Sequence, residues 1–261
     1  MDWIASVSVN LTPTHPGKVY FVGAGIGQLD HLTIAAQSKL RLAEVLIYDA
    51  LVNTHLLTLV PPNCACLPVG KRGGQPSLQQ REINELIVNH CQMGKRVVRL
   101  KSGDPFIFGR CFSEIQALMD EGCAYEVVPG LSSALAAPLL AGIPLTDPQL
   151  SRCFGVITAH DLTALNWSAL SGLDTLVVLM GGRNLSELVN QLLHWGRSPK
   201  TPIAIIRWAG HPQQFTWTGR LANIVAQVGT DAVAPSVIII GDVVELRDKI
   251  MGTSDFYHKN L

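Results

Sequence analysis

Residues 19–30 read VYFVGAGIGQLD, and the fold follows from how this stretch is read. Apolar residues lead directly into Gly23, and Gly25 and Gly27 follow at alternate positions. A short, continuous apolar run closed by glycine is typical of a strand buried on both faces that enters a tight turn. Apolar residues then recur at helical spacing over residues 32–43. Strand, glycine turn and helix in that order open a parallel α/β sheet.

The alternation continues outward from this point. EVLIY (44–48) is a second strand closed by Asp49, and residues 82–93 carry Ile83, Leu86 and Ile87 at helical spacing. RVVRL (96–100) is a third strand, followed by SGDP; a helix over 114–121 and a strand over 125–128 come next, ending at Pro129-Gly130. Residues 132–141 read as a small-residue helix interrupted by Pro138, and 142–148, with two prolines, as a connector. Strands then fall at 154–158, 175–180, 203–207, 216–218 and 236–240, with helices over 185–195 and around 221–228. The alternating FTWT (215–218) suggests some antiparallel pairing in an otherwise mostly parallel design. The expected organisation is α/β: a tail over 1–16, a first α/β domain over 17–133, and a second over 134–261 that includes a C-terminal tail.

Composition narrows the function classes. The chain has 261 residues, 48% of them hydrophobic and 15% charged, which suits a compact enzyme and not a disordered segment. Lys plus Arg equals Asp plus Glu, so nothing advertises nucleic acid or an anionic membrane. No apolar run reaches the roughly 20 residues that span a bilayer, and residues 1–17 lack the pattern of a signal peptide. None of the six cysteines forms a CxxC pair or has zinc spacing, which fits reduced thiols in a cytoplasmic protein, with a plastid left open.

Glycine turns of this kind often hold a dinucleotide, but that fingerprint is G-x-G-x-x-G with an acid about 20 residues on. Here the third glycine is replaced by Gln28, Glu44 opens the second strand, and Asp49 lies too far along. A nucleotide-binding oxidoreductase therefore stands as an alternative only, as does a binding module without catalysis.

Longer motifs carry more information: VGAGIG (22–27), IYDALV (47–52), VGKRGG (69–74), RLKSGDPFIFGR (99–110), VVPGLSSALAAPLLAGIPLT (127–146) and PSVIIIGDVVELRDK (235–249). Together, and in this order from about Lys18 to Lys249, they resemble the tetrapyrrole methylase family, in its branch acting on uroporphyrinogen III. The resemblance implies two α/β domains with a cleft between them, a homodimer, and S-adenosylmethionine as cofactor with S-adenosylhomocysteine as its product. It implies methylation of uroporphyrinogen III at C-2 and C-7, giving precorrin-2 for sirohaem and cobalamin synthesis, and no metal. A relative acting on another tetrapyrrole, such as precorrin-4, is the second reading within the family.

The resemblance also assigns residues. Asp49 matches a proton acceptor and Lys71 a proton donor; capping of a helix starting at Ala50 is the competing role for Asp49. The opening turn, with Gly25 and Ile26, borders the cofactor. Ser102, Gly103, Asp104 and Ile107 match the cofactor loop, and Ser132, Ser133, Met180 and Ala209 match further cofactor contacts. Ser132 and Ser133 are also suited to capping a helix. Arg72, Lys101, Arg110, Arg152 and Arg183 are candidates for the carboxylates of the substrate. The chain departs from the family pattern at Ile26, Gln28 and Pro76, and at Ser102, Cys111 and Phe112, where glycine is usual. Each of those last three would cost about 1 kcal/mol if its backbone were left-handed.

Overall fold

The computed structural model describes residues 17–70, 78–231 and 233–252. The chain divides into two compact units: Met1–Ala24 with Leu32–Gly130, and Gly25–His31 with Leu131–Leu261. The glycine turn after the first strand thus belongs to the second unit, though its strand belongs to the first.

The first unit holds β1 (Lys18–Gly23), α1 (Ile34–Leu40), β2 (Val45–Tyr48), β3 (Ala65–Pro68), α2 (Gln80–Gln92), β4 (Arg96–Lys101), α3 (Cys111–Asp120) and β5 (Ala124–Val128). Its sheet has the order β3-β2-β4-β1-β5, and every pair in it is parallel. Alternate side chains therefore serve two separate cores. Val19, Phe21, Ile47 and Val97 pack with Ile83 and Ile87 of α2 and Ile115 and Leu118 of α3. Val22, Leu46, Val98 and Leu100 pack with Ala36 and Leu40 of α1 and with Leu56. The α1 helix is shorter than its periodic stretch because Thr33 caps it, its Oγ1 accepting from Ala36 N at 3.1 Å. Sequence periodicity offered no sign of β3, an edge strand largely exposed and ending in Pro68.

The carboxyl ends of these strands lie on one edge of the sheet, and there the backbone is unusually crowded. A Cβ built on Gly23 would sit 2.5 Å from Gly130 Cα and 2.7 Å from Gly103 O. The residues after β1, β4 and β5 thus meet backbone to backbone, which only glycine allows.

The second unit holds α4 (Ser133–Leu140), β6 (Phe154–Thr158), α5 (Trp167–Ser171), β7 (Thr175–Leu179), α6 (Leu185–His194), β8 (Pro202–Arg207), β9 (Phe215–Arg220), α7 (Ile224–Val228), β10 (Ser236–Ile240) and α8 (Leu246–Gly252). Pro138 does not interrupt α4; the ladder resumes beyond it with Ala141 N donating to Ala137 O at 3.0 Å. The sheet order is β6-β7-β10-β8-β9. Only β6 and β7 pair in parallel; β10 is antiparallel to β7 and to β8, and β8 is antiparallel to β9. The mostly parallel expectation therefore holds for the first sheet, and the antiparallel pairing that FTWT suggested for the second half is found at β9 and extends to β10. Because β10 is shared between β7 and β8, those two strands still run the same way. Their carboxyl ends, at Met180 and Trp208, open on the same edge.

Candidate functional site

Asp49 follows β2 directly. The parallel register that sets Ile47 opposite Arg99 and Tyr48 opposite Leu100 brings the next residue of β2 beside the end of β4. No helix starts at Ala50, so the capping role is not realised. Instead Asp49 Oδ1 accepts from Arg99 Nη2 at 2.5 Å, and Asp49 Oδ2 lies 3.4 Å from Ser102 N. The Arg99 side chain is 2% exposed and that of Asp49 31%, so one end of the pair reaches the surface and the other does not. Behind Arg99 lies Glu114 of α3, fully buried, whose Oε1 accepts from Arg99 Nε at 3.1 Å. Lys101 Nζ donates to both Glu114 oxygens, at 3.0 and 2.9 Å.

Burial works against the charge of Arg99, but the nearby carboxylates of Asp49 and Glu114 outweigh it and raise its pKa. Desolvation pushes the Cys111 thiol, at the start of α3, up to about 12. Lys101, a candidate for substrate carboxylates by sequence, is buried and committed to Glu114, so it is removed from that role.

The loop after β4 carries Ser102, Gly103, Asp104 and Ile107. Gly103 has φ 70°, a left-handed conformation suited to glycine. Asp104 shapes the loop: its Oδ1 accepts from Phe106 N at 2.9 Å and its Oδ2 from Gly130 N at 3.2 Å. Ser102 Oγ is buried and has no hydrogen-bond partner among the described residues. Ile107 presents an exposed side chain. The strain anticipated at Ser102, Cys111 and Phe112 falls elsewhere, since Phe108 and Arg110 take left-handed φ of 52° while Cys111 and Phe112 begin α3.

In the second unit, the Gly25–His31 segment packs on the loop after β8. A Cβ on Gly210 would lie 3.0 Å from both Ile26 Cδ1 and Ile26 O, and Gly25 has φ 64°. Ile26 is buried there. Ser132 caps α4, its Oγ accepting from Ala134 N at 3.3 Å, and Ser133 is the first helical residue. Ala209 is half-buried against the core, beside Trp208. Met180 and Trp208 adopt left-handed φ of 57° and 51° at the ends of β7 and β8. The Met180 side chain is 50% exposed, so it is not core filler. Left-handed non-glycine residues cost about 1 kcal/mol each and tend to collect at functional sites.

Lys71, Arg72 and Pro76 lie outside the described residues. Arg110, Arg152 and Arg183 are exposed. Among the described residues, no group of three His, Cys, Asp or Glu side chains could hold a metal ion. Sequence reading missed Arg99 and Glu114 as members of the site. The available signal was two cations, Arg99 and Lys101, at alternate positions in a strand whose other residues after Arg96 are apolar.

A parallel sheet and a mixed sheet, each with glycine-rich loops and strained residues at the carboxyl ends of its strands, define a two-unit α/β protein with an enzyme-like edge on each unit. Residues 18–225 match the Tetrapyrrole (Corrin/Porphyrin) Methylases, and the chain belongs to that family. It is 57% identical over 231 residues to a uroporphyrinogen-III C-methyltransferase of Synechococcus elongatus, covering 88% of this chain and 95% of that protein. It is 41% identical over 234 residues to the Priestia megaterium uroporphyrinogen-III C-methyltransferase, covering 87% and 98%. Among solved structures it is similar to the uroporphyrin-III C-methyl transferase of Thermus thermophilus complexed with S-adenyl homocysteine, with TM-score 0.77, 34% identity, and coverage of 88% of this chain and 100% of that one.

Proposed function

We propose that the chain is an S-adenosylmethionine-dependent C-methyltransferase that converts uroporphyrinogen III to precorrin-2 by methylation at C-2 and C-7, for sirohaem and cobalamin synthesis. The observation that carries this reading is the 57% identity, over nearly the whole length of both chains, to a protein named for that reaction.

The residues present suit the cofactor. The buried Ser102 Oγ has no hydrogen-bond partner among the described residues, Gly103 forms a left-handed turn, and Met180 is turned outward at the cost of strain. In the first unit, Ser102, Gly103, Asp104 and Ile107 are its proposed contacts; in the second, Gly25, Ile26, Ser132, Ser133, Met180 and Ala209. Asp104 acts by holding the loop in shape, since its carboxylate already accepts from two backbone amides. The Ser132 oxygen accepts from the backbone of α4, which leaves its hydroxyl proton to be donated.

When bound, S-adenosylmethionine supplies an electrophilic methyl group on a sulfonium and leaves as S-adenosylhomocysteine. The protein's part is positioning and proton handling. Asp49, with one oxygen tied to Arg99 and the carboxylate partly exposed, accepts the proton that the methylated macrocycle loses. Lys71 is the proposed proton donor. Arg110, Arg152 and Arg183, exposed and cationic, are suited to substrate carboxylates. We further propose a homodimer working in the cytoplasm; among the described residues no helix is long and apolar enough to cross a membrane.

Mass spectrometry after anaerobic incubation with S-adenosylmethionine and uroporphyrinogen III tests the reading. Two added methyl groups are expected. No addition, with S-adenosylhomocysteine still bound, would keep the family and remove the substrate.

A further inference from the structure

We propose that Arg99 is a positioning residue for the reaction, which holds the Asp49 carboxylate in place and is itself locked from behind by Glu114. The proposal rests on the reading of Asp49 as proton acceptor and adds the means by which its orientation is set.

Arg99 is anchored at three points. Its Nε donates to Glu114 Oε1 at 3.1 Å, its Nη1 to Leu100 O at 3.2 Å, and its Nη2 to Asp49 Oδ1 at 2.5 Å. Glu114 has little freedom, because Lys101 takes both of its oxygens and Gln80 Nε2 adds a bond to Oε1 at 3.3 Å. A continuous path therefore runs from α2 and α3 through Glu114 and Arg99 to Asp49 at the end of β2. The planar guanidinium is suited to this, since its fork serves two carboxylates in fixed directions where an ammonium would act as a point charge.

The charge balance leads the same way. Arg99, Lys101 and Glu114 are buried and together carry one net positive charge. The partly exposed Asp49 carboxylate is the counter-charge that balances them. A buried ionic cluster of this kind is weak evidence for stability, because apolar residues of similar volume often serve a core as well or better. Its geometry is explained if the one member that reaches the surface must be ionised and aimed.

The test is a double-mutant cycle read by single-turnover transfer of radiolabelled methyl from S-adenosylmethionine to uroporphyrinogen III. Calorimetric binding of S-adenosylhomocysteine reports on folding in every variant. Arg99→Lys is expected to lower the transfer rate about tenfold, with the KM for S-adenosylmethionine within about twofold of wild type. Arg99→Met is expected to lower the rate further. In an Asp49→Asn background, where no base remains to be aimed, Arg99→Lys is expected to have no further effect on the rate. Equal losses from Arg99→Lys in both backgrounds, or a rise in KM with the rate unchanged, would overturn the positioning role. A wild-type rate in Asp49→Asn alone would instead overturn the proton-acceptor reading, and the proposal with it. Should Arg99→Met not fold, Arg99→Lys carries the cycle by itself.

Discussion

Asp104 Oδ2 accepts a hydrogen bond from Gly130 N at 3.2 Å, across 26 residues of sequence, while its Oδ1 accepts from Phe106 N two residues on. One carboxylate thus closes its own turn and ties the loop after β4 to the end of β5. Replacing it leaves two backbone amides without their acceptor. Asp104→Ala is expected to destabilise the protein by about 2 kcal/mol, and Asp104→Asn by less, because one oxygen is kept. Urea denaturation measures both; equal stability of wild type and Asp104→Ala would show that water replaces the carboxylate without penalty.

The meeting of Gly23, Gly103 and Gly130 leaves no room for a methyl group. In Gly23→Ala the new Cβ would lie 2.5 Å from backbone atoms of Gly130, which have no rotamer through which to withdraw. A loss of about 3 kcal/mol, or failure to fold, is expected. Gly122 is the control. Its φ of 64° also favours glycine, but a Cβ there meets nothing within 4 Å, so Gly122→Asn is expected to cost only about 1 kcal/mol. Thermal melting of the two variants side by side separates crowding from backbone strain.

Met180 combines a left-handed backbone with an exposed side chain. Met180→Gly removes the strain and is expected to change stability only slightly, in the direction of a gain of up to about 1 kcal/mol. If the thioether contacts the cofactor, the same variant raises the KM for S-adenosylmethionine. A stable variant with unchanged KM would remove Met180 from the cofactor contacts.

The partly buried Cys64 and the buried Cys91 and Cys111 set a pH dependence of stability. Burial pushes Cys64 up to about 11 and Cys91 and Cys111 up to about 12. In the unfolded chain a cysteine titrates near 8.5. The folded state therefore holds these protons more tightly. The stability they contribute is fully present below about pH 8.5 and declines as pH rises through 11 to 12. The melting temperature is expected to fall progressively above about pH 8.5, and Cys64→Ser with Cys91→Ser and Cys111→Ser should flatten that limb. In the native state, Cys66 and Cys153, both exposed, should react with a thiol reagent well before the buried Cys91 and Cys111.

Much of this architecture was readable from local pattern. The strand ahead of the first glycine turn, the α2 and α6 helices and the β10 strand follow from apolar runs and helical spacing, because burying those faces is what selects their conformation. The edge strand β3 and the short α5 were not readable, since neither buries enough of a regular face to mark the sequence. Antiparallel pairing of β10 with β7 and β8 was equally hidden. The run SVIII is buried on both faces in either orientation, and direction is set by the connections around it.

The sequence by itself determined the family, the α/β class and the positions of the candidate residues, because these reside in residue types at set spacings. Only the tertiary structure decided what those residues can do. It removed the helix cap from Asp49 and gave it Arg99, withdrew Lys101 into a buried pair with Glu114, and placed the left-handed strain at Phe108, Arg110, Met180 and Trp208. The physical reason is that ion pairs, burial and backbone strain depend on groups brought together from distant parts of the chain. Asp49 and Arg99 are 50 residues apart in sequence and meet only because β2 and β4 lie side by side.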